Sequence, residues 1–248
     1  MVDKICGGSS INPCANSISV DTDQNVDYKL AGVIDHTLLK PDTTKVDLTK
    51  LSDEAKKYRF AAVCVNSYNI PLIAKLLKDS TVKPIAVVGF PLGATSSQAK
   101  AFEARVAIDS GAEEIDMVIN LGALKAKDYQ AVYEDIKQVV TASKPYSVKV
   151  IIETASLNHD EKVAACVLAK AANATFVKTS TGFGAAGATV EDIRLIRSIV
   201  GTNMLIKASG GIRTKEDAEK MLAAGADRIG ASASIEIVTG KNARLSSY

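Results

Sequence analysis

The sequence predicts an α/β chain in which eight strand–helix units close into a single-domain (β/α)8 TIM barrel. Three observations predict it. From Leu30 onward, short apolar runs alternate with longer amphipathic stretches. Several runs are apolar at consecutive positions, as in parallel strands buried on both faces. About eight units fit into about 220 residues, the size of a closed barrel. A doubly wound open sheet is the alternative, but it usually has fewer strands at this length, and no G-x-G-x-x-G follows an early strand.

The expected strands are GVIDHTLL (32–39), FAAVCVN (60–66), KPIAVVGF (83–90), EIDMVIN (114–120), KVIIET (149–154), TFVKTS (175–180), MLIKAS (204–209) and RIGAS (228–232). The expected helices are 45–58, 97–111, 131–143, 158–172, 189–201 and 214–225, each with apolar residues near i, i+3, i+4 and i+7. Asn158, Thr189 and Thr214 precede early acids, as helix N-caps do. SGAEEIDMV, KAANATFVKT and AAGADRIGA form a faint repeat. It places Gly111, Asn173 and Gly225 at left-handed positions just past helix ends. Residues 1–28 are polar and aperiodic and read as a flexible N-terminal extension, with the barrel domain spanning 29–248.

Composition excludes several classes. Hydrophobic residues make up 47% and charged residues 23%, which argues against disorder. Thirty Lys+Arg against 28 Asp+Glu, interspersed, and only 5% aromatics leave no basic or stacking face for nucleic acid. No apolar stretch nears the roughly 20 residues of a membrane span. The first residues lack the apolar core of a signal peptide, so a cytoplasmic location is expected. Cys64 and Cys166 lie in apolar contexts as free thiols, and Cys6 and Cys14 fall in the extension. With two histidines and no C-x-x-C, no metal or cofactor is expected.

Reactive groups of such barrels sit at the C-terminal ends of strands. Asp116, Glu153, Lys178 and Lys207 interrupt apolar strands there. Lysine is seldom buried, so two lysines late in the sixth and seventh strands are costly. If both point inward, desolvation and mutual repulsion lower the proton affinity of one. A drop of about three units from ~10.4, roughly 4 kcal/mol, frees an amine to form a Schiff base. Asp116 then supplies the countercharge and a proton-transfer group. Glu153 is either a partner of Lys149 or a site residue. Cys64 reads as core, and His36 as structural, because Asp35 and Thr37 point to the opposite face.

Glycines after strands six, seven and eight form a second constellation. TSTGFGAAGAT brings Thr181 and Gly182, ASGGIRT brings Gly210 and Gly211, and GASAS opens a short apolar segment, SIEIVTG. Loops of this kind cup a phosphate.

IDHTLLK (34–40), AAVCV (61–65), EIDMVIN, KVIIET, FVKTSTGFG (176–184), KASGGIRT (207–214) and RIGAS together resemble the deoxyribose-phosphate aldolase family, from about residue 30 to the C-terminus. The resemblance implies a class I, metal-independent aldolase. It implies reversible cleavage of 2-deoxy-D-ribose 5-phosphate to D-glyceraldehyde 3-phosphate and acetaldehyde, in deoxyribonucleoside catabolism. By motif, Lys178 would be the Schiff-base lysine, with Lys207 and Asp116 in a proton relay through water. Asp35, Thr37 and Thr181 would contact substrate, and Tyr248 would help protonate the enamine. Gly182, Gly210, Gly211 and Ser232 would hold the phosphate. Ala233 replaces a second serine of some members, and Ser209 replaces an alanine of many. The partners implied are a small sugar phosphate and further copies of the chain, as a homodimer or homotetramer. Another Schiff-base sugar-phosphate aldolase and a non-catalytic sugar-phosphate-binding barrel are the alternatives.

Overall fold

The computed structural model describes residues 26–240. Most of the expected N-terminal extension, with Cys6 and Cys14, and the terminal Tyr248 lie outside the described residues. Eight parallel strands close into a barrel in sequence order. They are β1 (Ile34–Leu38), β2 (Ala62–Asn66), β3 (Lys83–Val88), β4 (Glu114–Val118), β5 (Ser147–Ile151), β6 (Phe176–Lys178), β7 (Leu205–Ser209) and β8 (Arg228–Ala231). Seven of the eight expected apolar runs contain one of them, and β5 begins two residues before its run at Lys149.

The helices, again in chain order, are α1 (Tyr28–Ala31), α2 (Lys45–Tyr58), α3 (Ile70–Leu76), α4 (Ser97–Asp109), α5 (Leu121–Lys125), α6 (Tyr129–Ala142), α7 (His159–Ala171), α8 (Val190–Val200), α9 (Lys215–Ala224) and α10 (Ser234–Thr239). The six expected helices appear with their caps. Asn158, Thr189 and Thr214 accept backbone N–H groups at the starts of α7, α8 and α9. Gly111, Asn173 and Gly225 adopt positive φ, as their positions require. The sequence reading missed α1, α3 and α5, which are too short for a helical period to register.

Side chains alternate along each strand, and the two sets build different interiors. One set, including Val63, Ala86, Ile115, Met117, Val150, Val177, Ile206 and Ile229, meets the helices in the main apolar core. Within the barrel the apolar cluster is small: Leu39, Ala62, Cys64, Ile85 and Val87. It occupies the side formed by the early strands. On the other side, inward positions carry charge: Asp35, Glu114, Asp116, Lys149, Lys178 and Lys207 are all buried.

Outside the barrel one buried ion pair clamps the helical layer. The Lys100 ammonium on α4 donates to Asp135 on α6 at 2.6 Å and to the Val118 carbonyl on β4 at 2.9 Å. Both side chains are essentially inaccessible. Removing one partner leaves an uncompensated charge in the core. Asp135→Ala is therefore expected to lower the unfolding free energy by about 3–5 kcal/mol in urea titrations. The apolar pair Lys100→Met with Asp135→Leu should recover most of that loss. A change below about 1 kcal/mol for Asp135→Ala would contradict the clamp.

Candidate active site

Register brings the key lysines together. Lys178 on β6 is the direct register partner of Lys207 on β7, and Asp116 on β4 is the partner of Lys149 on β5. Asp116 Oδ2 accepts from Lys178 Nζ at 2.8 Å and from Lys207 Nζ at 2.8 Å. Two amines bound to one oxygen at those distances lie no more than about 5.6 Å apart. That is inside the range of roughly 4–6 Å over which charges shift one another's protonation. The other oxygen, Oδ1, meets Lys149 Nζ at 3.0 Å.

The cluster extends below this layer. Lys207 also pairs with Asp35 Oδ2 at 2.6 Å, and Asp35 Oδ1 faces Arg228 at 2.8 Å. Lys149 also pairs with Glu114, which takes Arg228 as well. Lys149, Lys178, Lys207 and Arg228 thus surround Asp35, Asp116 and Glu114. Of the three lysines, only Lys178 has a single carboxylate partner in this network.

The electrostatics follow from that geometry. Burial alone would raise the Asp116 carboxyl, but the ammonium groups of Lys149, Lys178 and Lys207 hold it well below the usual carboxylate range. Burial likewise opposes ionisation of Asp35, and Lys207 and Arg228 outweigh it and lower its value. Burial would lower Lys207, yet Asp116 and Asp35 raise it above an ordinary lysine, so its cation is fixed. Cys64 Sγ lies 4.0 Å from Asp116 Oδ2, and burial pushes its thiol upward, consistent with a core role. His36 faces outward, with Nδ1 against Ser234 Oγ at 2.9 Å and Nε2 against Glu54 at 3.0 Å.

Above the cluster, at the C-terminal ends of the strands, a cavity of about 300 Å³ opens. Lys178 alone of the three clustered lysines lines it. Thr37, Thr181, Gly182, Gly210, Gly211 and Ser232 line it too, as do Ser209, Lys40 and Arg213. Gly210 and Gly211 have φ of +86° and +77°. Asp35 is fully buried and does not line the cavity; its carboxylate pairs with Lys207 and Arg228. The hydroxyl of Ser209 donates to the Ser180 carbonyl at 2.5 Å, tying β7 to the end of β6. Ala233 stands at the N-cap of α10 without a side-chain cap.

Lys149 does not pair with Glu153, as one sequence reading had it; Glu114 and Asp116 take it instead. Glu153 turns toward Thr181. Lys40 and Arg213 were not singled out by the sequence, although Arg213 directly follows the glycine pair. Glu114 and Arg228 open their strands, where a polar residue ordinarily marks only a loop edge. Among the described residues, no group of three or more His, Cys, Asp or Glu could hold a metal ion.

A model of the DeoC/LacD family aldolases matches residues 29–243. The chain is 58% identical over 214 residues to a deoxyribose-phosphate aldolase of Clostridium perfringens, covering 86% of this chain and 96% of that one. It is 56% identical over 219 residues to a deoxyribose-phosphate aldolase of Thermococcus gammatolerans, covering 87% and 97%. Among solved structures it resembles the tetrameric deoxyribose phosphate aldolase of Aeropyrum pernix, with 33% identity, a TM-score of 0.80, and coverage of 85% and 90%. The family match spans the whole barrel, including the strands that carry the lysine cluster, and the chain therefore belongs to the DeoC/LacD family of aldolases.

Proposed function

We propose that the chain is a Schiff-base aldolase that reversibly cleaves 2-deoxy-D-ribose 5-phosphate into D-glyceraldehyde 3-phosphate and acetaldehyde. The observation that carries this reading is Lys178, which lines the cavity while its amine shares Asp116 Oδ2 with Lys207. Lys178, the one clustered lysine that borders the cavity and has a single carboxylate partner, supplies the reacting amine. Its lone pair adds to C1 of the open-chain sugar, and loss of water gives the iminium. Acetaldehyde carries two carbons, so the bond that breaks is C2–C3. Its electrons enter the iminium to form an enamine, while the C3 hydroxyl loses its proton and becomes the aldehyde of the three-carbon product. Protonation of C2 and hydrolysis release acetaldehyde and restore Lys178.

Asp116 and Lys207 relay protons through water in these steps. Thr37 stands along the cavity for the sugar, and Thr181 lines it from the β6–α8 loop. The glycines after β6 and β7, with Ser232, form its phosphate end, where Lys40 and Arg213 add positive charge. Tyr248, outside the described residues, is the candidate donor to the enamine. Asp35 acts from beneath, by holding Lys207. The reading places the enzyme in the cytoplasm, in deoxyribonucleoside catabolism, as a homodimer or homotetramer.

Lys178→Ala is expected to lower kcat by at least about 10⁴-fold, and Lys207→Met by about 10²–10³-fold, in a coupled assay of glyceraldehyde 3-phosphate. Normal turnover by Lys178→Ala would overturn the assignment. The cluster also sets a pH window. The lowered carboxylates of Asp35 and Asp116 stabilise the fold above the ordinary carboxylate value of about 3.9, and this is lost as pH falls through their folded values. The raised Lys207 stabilises below about 10.4 and loses its contribution only above that. Denaturant titrations should show a plateau between about pH 5 and 10 and a fall below about pH 4 that Asp35→Asn reduces. An unchanged acid limb in Asp35→Asn would contradict this.

A further inference from the structure

Glu153 is a buried acid that the reaction above does not use. It follows β5 directly, in the left-handed region at φ 55° and ψ 65°, and is only 5% exposed. The Lys149 ammonium that could neutralise it is committed to Glu114 and Asp116. Among the described residues, the hydrogen bonds of its carboxylate both run to Thr181. Oε2 accepts from the Thr181 backbone N–H at 3.2 Å and from its hydroxyl at 2.5 Å. Oε1 is buried without a hydrogen-bond partner among the described residues. The loop closes over the carboxylate at Gly184, where a Cβ would lie 3.1 Å from the carboxyl carbon and from Oε1.

A hydroxyl has one proton. That of Thr181 goes to Glu153, while its oxygen accepts from the Phe183 N–H at 3.0 Å. It therefore has no proton left for a substrate oxygen. The same Glu153 oxygen accepts from the Thr181 N–H and from its hydroxyl, which fixes the direction of that hydroxyl. The segment that follows carries Gly182 to the cavity and seats Gly187 on the next loop. A Cβ at Gly187 would lie 2.0 Å from the Gly210 carbonyl, which the Ala188 N–H reaches at 3.0 Å. Glu153 thus lies at the root of the contact between the loops after β6 and β7.

We propose that Glu153 is a positioning residue for the phosphate end of the substrate. It acts through Thr181, buckling the β6–α8 loop from below so that Gly182 and the loop carrying Gly210 and Gly211 form one cradle. Thr181 is then part of the buckle and donates no hydrogen bond to substrate. The inference rests on the aldolase reading above.

The test compares wild type, Glu153→Ala, Thr181→Val and Thr181→Ser on 2-deoxyribose 5-phosphate and on unphosphorylated 2-deoxyribose, with calorimetric binding of inorganic phosphate. Glu153→Ala and Thr181→Val should raise KM for the phosphorylated sugar about 10-fold or more, with a smaller change in kcat. They should weaken inorganic phosphate to a similar degree and change kcat/KM for the unphosphorylated sugar less than about 2-fold. Thr181→Ser, which keeps the proton, should behave as wild type. Equal losses on both sugars, an unchanged KM, or a serine variant as impaired as the valine one would overturn the proposal. If Glu153→Ala fails to fold, Thr181→Val against Thr181→Ser decides it. If wild type does not cleave the phosphorylated sugar, the aldolase reading fails, and phosphate binding across the variants still decides the role of Glu153.

Discussion

One carboxylate oxygen holding two ammonium groups at 2.8 Å inside a barrel is the interaction on which the rest of the molecule depends. Charges at such depth are costly to bury unless each is paired and hydrogen-bonded. The barrel meets this condition by surrounding Asp116 with Lys149, Lys178 and Lys207, and by seating Lys207 on Asp35 as well. The arrangement is asymmetric. Lys207 is pinned between two carboxylates, whereas Lys178 shares one and borders the cavity. Two lysines on neighbouring strands are thereby given different environments, one built to stay charged and the other to meet an electrophile.

Strand register makes this possible. Parallel pairing sets Lys178 opposite Lys207, and the closed ring brings Asp116 from β4 across the interior to both. The early strands fill their side of the interior with the apolar side chains of Ala62, Cys64, Ile85 and Val87. Outside, the Lys100–Asp135 clamp fixes α4 and α6 to β4 two residues beyond Asp116. The loops above complete the cavity, and their glycines let backbones approach more closely than any Cβ would allow.

Much of this was legible in the sequence, for physical reasons. Consecutive apolar positions marked the buried parallel strands, and Lys178, Lys207 and Asp116 stood out because a charge within such a run needs a reason. Alternation alone separated Asp35 and Thr37 from His36. Other features depend on tertiary geometry. Glu114 and Arg228 sit at strand starts, where a polar residue carries no signal. The helix α3 has seven residues and begins beside Pro71, too short a stretch for a period to register. Asp35 was expected against substrate; it is fully buried and pairs with Lys207 and Arg228, a partnership that strand alternation alone does not announce. Glu153 was open between partnering Lys149 and belonging to the site; it meets Thr181, and no local pattern announces its left-handed backbone.

The central claim is that Lys178 carries the reacting amine. Incubation with 2-deoxyribose 5-phosphate and borohydride, followed by peptide mass mapping, tests it most directly. The account predicts a single reduced adduct on Lys178 and none on Lys149 or Lys207. An adduct on either of those lysines, or turnover of the sugar phosphate with no trappable adduct, would contradict it.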